Sequence, residues 1–148
     1  MQKCTLALGC FWKPEETFKS KAGIIETEVG YAGGLNERVT YEEVCNGNTG
    51  HAEVVRLTFD ENIISFKKII DLFFKMHDPT QKDMQYPDVG TQYRSEIFYE
   101  TDQQKKEASK ILNELNKKFD GKIQTNISKI KNYCKAEEYH QKYIEKNK

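Results

Sequence analysis

Leu8-Gly9-Cys10-Phe11-Trp12-Lys13-Pro14-Glu15-Glu16 is a strand running into a helix. The apolar stretch Cys4–Leu8 reads as the strand. Pro14 suits the first turn of a helix, where its missing N–H costs nothing. Glu15 and Glu16 follow where the helix dipole favours negative charge. A cysteine just ahead of a helix N-terminus meets oriented N–H groups, which predicts a lowered pKa for Cys10. Phe11 and Trp12 come straight after it, in what reads as a turn. Two readings of the junction stand side by side: a reactive thiolate beside an aromatic pocket, or a buried structural cysteine with aromatics closing a core edge.

Outward from this junction, strands and helices alternate. The pattern predicts a helix over Pro14–Lys21, a strand over Ile24–Tyr31, a helical turn over Tyr41–Cys45 and a strand over Glu53–Phe59. Phe66, Ile69, Ile70, Phe73 and Phe74 recur on one face of a 3.6-residue period, so Ser65–Met76 is a helix. Ser95–Tyr99 reads as a strand and Asp102–Lys118 as a second amphipathic helix, stopped by Asp120-Gly121. Ile123, Thr125 and Ile127 alternate as a short strand, and Ala136–Lys146 reads as a terminal helix. Strands alternating with long helices imply an α/β or α+β fold with helices packed on a sheet. Asn46–Gly50 and Thr80–Gln92 are loops, where functional groups collect.

The bulk numbers narrow the classes. A chain of 148 residues suits a single domain over residues 1–148. Its 23 basic and 23 acidic residues cancel, so no net field points to nucleic acid or an anionic membrane. No apolar run approaches a membrane span, and no charged-then-apolar leader precedes the first strand, so a cytoplasmic protein is expected. The four cysteines, at positions 4, 10, 45 and 134, form no C-x-x-C pair. Zinc-ligand spacing is missing, no metal site is expected, and separate thiols suit redox chemistry better than a disulfide framework.

Glu53 shares strand parity with Val55, Leu57 and Phe59, so its carboxyl sits at a strand end on the apolar face. Desolvation there raises its pKa and favours the neutral acid, a proton donor. The alternative is an edge-of-core Glu paired with a lysine. Tyr31, Tyr41 and Tyr93 carry hydroxyls that would serve a polar oxygen near a cleft, or simply pack. His51 allows a dyad with Cys10 or a satisfied loop histidine. His77 reads as a helix stop, His140 as part of the last helix face. Cys4 shares parity with Leu6 and Leu8 and reads as buried; Cys45 reads as packed.

Six ordered blocks carry a resemblance. They are Gly9-Cys10-Phe11-Trp12, Tyr41-Glu42-Glu43-Val44-Cys45, Gly50-His51-Ala52-Glu53, His77-Asp78-Pro79-Thr80, Asp88-Val89-Gly90-Thr91-Gln92-Tyr93-Arg94-Ser95 and Ala136-Glu137-Glu138-Tyr139-His140-Gln141. Together they resemble the A-type peptide methionine sulfoxide reductases over nearly the whole chain. The resemblance implies a two-layer α/β sandwich related to the ferredoxin-like fold, with a mixed sheet and packed helices. It implies reduction of the S epimer of methionine sulfoxide, free or in oxidised proteins, with no cofactor. Carried over by position, Cys10 resembles the nucleophile and Glu53 the acid on the sulfoxide oxygen. Tyr41 and Tyr93 resemble the hydroxyls that hold this oxygen, Phe11 and Trp12 the wall for the methyl group, and Asp88 a supporting acid acting through water. The chemistry is coherent: a sulfoxide is a poor electrophile until donors engage its oxygen, and a thiolate must then meet its sulfur.

The chain also departs from that family. Many members carry resolving cysteines beyond the final block, and here none stands there. Cys134 is the internal candidate to reduce a Cys10 sulfenic acid; otherwise thioredoxin, glutaredoxin or glutathione must do so. Tyr86-Pro87 stands where members often have Gly-Asn. A monomer is expected.

Overall fold

The computed structural model describes residues 1–148. In chain order the elements are β1 (Gln2–Leu8), α1 (Trp12–Lys19), β2 (Ile24–Ala32), α2 (Tyr41–Cys45), β3 (Ala52–Phe59), α3 (Phe66–Met76), β4 (Met84–Gln85), β5 (Asp88–Val89), β6 (Ser95–Tyr99), α4 (Asp102–Lys118), β7 (Asn126–Lys129), β8 (Cys134–Lys135) and α5 (Tyr143–Lys146). One sheet runs β7-β6-β1-β3-β2-β8. β1 pairs antiparallel with β3 and β6, and β3 with β2, while β7 joins β6 in parallel. The inner order β6-β1-β3-β2, threaded by α1 and α3, is the interlocked βαβ pair of the ferredoxin-like fold. The sheet is therefore mixed, as the resemblance implied.

Alternation along the strands separates the two faces. Cys4, Leu6, Leu8, Val29, Tyr31, Val55, Leu57, Phe59 and Ile97 join Phe18 of α1, the apolar stripe of α3 and Ala108 of α4 in one buried cluster. The opposite parity, Ala7, Ala32, Ala52, Val54 and Phe98, forms a smaller cluster under Ile130 and Tyr133. Helices thus cover one face and a loop segment the other. Ser65 caps α3 through the Lys68 N–H at 3.0 Å, Thr101 caps α4 through the Gln104 N–H at 3.2 Å, and Thr40 with Glu43 forms a capping box on α2. No helix is long and apolar enough to cross a membrane.

Three expectations need correcting. The first helix starts at Trp12, two residues before Pro14, and Phe11 is its N-cap. Pro14 still falls within the first turn, where no intrahelical N–H bond is lost. Ile127 lies in β7, but the rest of the expected strand does not, and the Thr125 and Ser95 hydroxyls bond at 2.7 Å. The expected helix over Ala136–Lys146 is broken into a 3₁₀ turn at Glu138–His140, a left-handed Lys142 (φ 54°) and the short α5. Tertiary bonds outcompete the helix there. The Gln141 amide accepts from the Val29 N–H at 3.0 Å and donates to the Val29 and Ala136 carbonyls at 2.8 and 3.0 Å. Lys142 donates from its N–H and its ammonium to the buried Glu15 carboxylate at 2.7 and 3.1 Å.

Gly34 shows how tightly the loops over the Cys10 end of the sheet are held. A Cβ there would overlap the His51 ring and the Thr49 carbonyl. The ring is itself fixed, with Nε2 3.1 Å from the Asn132 carbonyl. Gly34→Ala is expected to cost about 2–3 kcal/mol, a fall in Tm of roughly 5–10 °C on thermal unfolding.

Candidate active site

Cys10 leaves the end of β1 through Gly9, whose φ of +97° lies in the left-handed region. A Cβ on Gly9 would sit 3.0 Å from the Gln85 side chain, so the turn before the thiol packs directly on the β4–β5 hairpin. The Cys10 side chain is half-buried. Its pKa is pushed up to about 11: burial raises it, the Trp12 N–H lowers it, and the nearby charges of Glu53, Asp88 and Cys45 raise it again. The lowering predicted from the helix terminus is overturned. The amide does act on the sulfur, but desolvation and surrounding acids outweigh it.

Glu53 stands beside this turn. Its carboxyl is buried, with one oxygen accepting from the Phe11 N–H at 3.3 Å and the other, Oε2, buried without a partner. Burial raises its pKa to about 8, the Phe11 N–H working against the shift and the Asp88 charge adding to it. The acid expected from strand parity is therefore neutral at pH 7. Tyr41, first residue of α2, and Tyr93, in the 3₁₀ turn Thr91–Tyr93, both feel the Glu53 charge. Burial first, then these neighbours, keep both hydroxyls protonated and able to donate. Arg94 ties their loops together, bonding the Gly50 and Thr91 carbonyls at 3.0 Å each and Glu96 at 2.7 Å.

Phe11 and Trp12 form an aromatic wall. Phe11 is fully buried, its ring 5.8 Å from that of Tyr31 and 5.2 Å from that of His140. Trp12 stacks on Tyr143 with centroids 3.8 Å apart and planes 9° from parallel, and its indole N–H donates to His140 Nδ1 at 3.0 Å. The His140 ring also lies 4.4 Å from that of Tyr41. Glu137 accepts from the Tyr31 hydroxyl at 2.7 Å and the Tyr41 N–H at 2.8 Å. Glu137, His140 and Tyr143 are thus the supports that sequence reasoning missed. For Glu137 and His140 the signal was present in the Ala136–Gln141 block.

The charge of Glu53 acts on Cys10, Tyr41 and Tyr93, and that of Asp88 on Cys10, Glu53 and Tyr93, while Phe11 and Trp12 follow Cys10 at the start of α1. Cys134 opens β8 and pairs with Tyr31 of β2, its thiol 3.7 Å from the Val39 carbonyl. Cys4 is buried as expected. Cys45 is exposed rather than packed, because α2 ends there with its side chain at the surface. His51 is spent on the Thr49 and Asn132 carbonyls and makes no dyad in this structure. His77 ends α3 as predicted, bonded to the Phe73 carbonyl and the Ser95 hydroxyl at 2.7 Å each. No group of three His, Cys, Asp or Glu side chains is placed to hold a metal ion.

A buried acid with a raised pKa weighs on stability. Below about pH 4.5, Glu53 is protonated whether folded or unfolded, and the two states bind protons equally. Between 4.5 and 8 the unfolded chain ionises first, so stability falls as pH rises through that window. Glu53→Gln removes the carboxyl and should be more stable than the parent, by on the order of 3 kcal/mol at pH 8 and by little at pH 4.5. Urea midpoints at the two pH values check this.

The family model described as peptide methionine sulfoxide reductase matches residues 2–148. A peptide methionine sulfoxide reductase MsrA from Pelagibacter ubique is 56% identical over 146 residues, which is 99% of this chain and 99% of that protein. The reduced form of Mxr1 from Saccharomyces cerevisiae superposes with a TM-score of 0.94 at 42% identity, covering 99% of this chain and 85% of that one. Mxr1 has also been solved in complex with Trx2, with a TM-score of 0.69 at 30% identity over 96% of this chain and 84% of that one.

Proposed function

This chain belongs to the peptide methionine sulfoxide reductase family, a peptide-methionine (S)-S-oxide reductase, and we propose that Cys10 and Glu53 carry its chemistry. One observation carries the proposal: Glu53 Oε2 is buried without a partner beside the Cys10 turn, on a carboxyl whose pKa burial raises to about 8. It is suited to the sulfoxide oxygen, with the Tyr41 and Tyr93 hydroxyls as further donors and Asp88 in support. Phe11 and Trp12 receive the methyl group on sulfur.

In the resting pair both groups hold their protons at pH 7. The Cys10 sulfur attacks the sulfoxide sulfur while Glu53 protonates the oxygen and takes up the thiol proton. The hydroxyl then passes from the methionine sulfur to the Cys10 sulfur as the new S–S bond breaks, its electron pair leaving with the methionine thioether. The net change is Cys10–SH plus sulfoxide to Cys10–SOH plus methionine thioether, with no external proton consumed. A dithiol then returns Cys10 to the thiol, becoming a disulfide and releasing water. The yeast complex with Trx2 supports thioredoxin as that dithiol; glutaredoxin or two glutathiones would serve the same way, whereas Cys134 would condense with the sulfenic acid to a Cys10–Cys134 disulfide that an external thiol then reduces. Residues 1–148 act as one catalytic domain and a monomer in the cytoplasm, with oxidised proteins or free methionine sulfoxide as substrate.

Multiple turnovers of N-acetylmethionine S-sulfoxide, but not of the R epimer, with dithiothreitol as reductant test the assignment. Rapid peroxide turnover without sulfoxide reduction would overturn it. One equivalent of sulfoxide without reductant, followed by mass spectrometry, separates a Cys10–Cys134 disulfide from a persistent sulfenic acid. Kinetics with thioredoxin, glutaredoxin and glutathione in turn identify the second substrate.

A further inference from the structure

A cleft of about 320 Å³ runs from Cys10 between α1 and the β4–β5 hairpin, lined among others by Lys13, Thr17, Gln85, Tyr86 and Pro87. Phe11, Trp12, Tyr41 and Glu53 do not line it. Of the groups assigned to the sulfoxide only Asp88 reaches its wall, so it is contiguous with the reacting sulfur and extends away from Glu53, the tyrosine hydroxyls and the aromatic wall. A methionine side chain seated among those groups leaves the cleft unfilled. Only a ligand that continues beyond the side chain has matter to put there.

The outer rim is built for contact. Tyr86 is 77% exposed and Val89, on the same hairpin, 66% exposed. The backbone beneath them is pinned. The Tyr86 N–H donates to Gln81 Oε1 at 2.7 Å, the Asp78 N–H to Gln85 Oε1 at 3.1 Å, and the Gly90 N–H to the Asp83 carbonyl at 2.9 Å. Gly9 abuts Gln85, so the hairpin keeps a fixed distance from Cys10. An aromatic ring on a fixed backbone offers a large contact area and loses little freedom when covered.

We propose that this cleft seats the polypeptide flanking an oxidised methionine, with an apolar neighbour packed on Tyr86 and Pro87, so that Tyr86 sets the preference for peptide over free substrate. The inference rests on Cys10 being the nucleophile. The test compares a pentapeptide holding methionine S-sulfoxide between leucines with N-acetylmethionine S-sulfoxide. Tyr86→Ala should lower kcat/KM for the peptide about tenfold, through KM, a loss of about 1.4 kcal/mol. Turnover of N-acetylmethionine S-sulfoxide should stay within about twofold, and Tyr86→Phe should retain the peptide preference. Equal losses on both substrates, no loss on either, or a raised KM for thioredoxin alone would overturn the proposal. The last outcome would assign the cleft to the reductant. Equilibrium binding of the same peptide to Cys10→Ser with and without Tyr86→Ala reads the cleft without turnover. About tenfold weaker binding is expected, and equal affinity would overturn the cleft even if the sulfoxide chemistry lay elsewhere.

Discussion

Cys10→Ser is expected to lower sulfoxide reduction by about 10⁴-fold or more, the scale of losing the nucleophile from a covalent mechanism. Serine preserves the shape of the turn, so the fold and the binding of substrate should survive. Its oxygen has neither the nucleophilicity of sulfur nor a sulfenic acid to pass to a second thiol. The raised pKa of Cys10, about 11, sharpens the expectation. With the thiol proton held that firmly, the proposed mechanism makes attack depend on the proton relay through Glu53 and on the donors to the oxygen. Turnover of the S-sulfoxide with dithiothreitol, measured beside peptide binding, separates the two losses. Serine activity above about one per cent of the parent would contradict a nucleophilic Cys10.

Glu53 provides the second large effect. Removing one donor from a preorganised oxyanion-type site costs on the order of 10²–10³-fold. Glu53→Ala should fall in that range, or below it if a water replaces the carboxyl. Glu53→Gln should lose much less, because its amide still donates, though it cannot deliver or retrieve a proton. The pH profile tells the two functions apart. The reactive pair holds both protons, so kcat/KM of the parent should fall above about pH 8 as Glu53 ionises. Glu53→Gln should lack this limb. A parent profile that rises through pH 8, or equal losses for alanine and glutamine, would argue against the donor.

Much of this architecture was readable before any coordinates. The stripe of Phe66, Ile69, Ile70, Phe73 and Phe74 predicts α3, and Asp102–Lys118 is found with the same bounds. Glu53, at the end of β3 on the core side, is where strand parity puts it, and its raised pKa follows from that burial. Local signals failed where distant bonds decide the backbone. Residues 136–146 have helical patterning, yet Gln141 and Lys142 find stronger partners in Val29 and Glu15, more than a hundred positions away. The Cys10 pKa failed for a related reason. The sequence neighbourhood shows the Trp12 N–H but not the low-dielectric surroundings or the acids that the fold folds in. The β4–β5 hairpin was beyond reading because each strand is two residues long, too short for any period to register.

The clamp of Gln141 on Val29 bears on how the molecule behaves among copies of itself. β8 is only two residues long, so most of the outer flank of β2 has no neighbouring strand. At Val29 a side-chain amide takes the place of a peptide group, filling both the N–H and the carbonyl that another chain would need for edge-to-edge growth. An edge already closed by the chain's own glutamine gives an extended segment of another chain one fewer place to add.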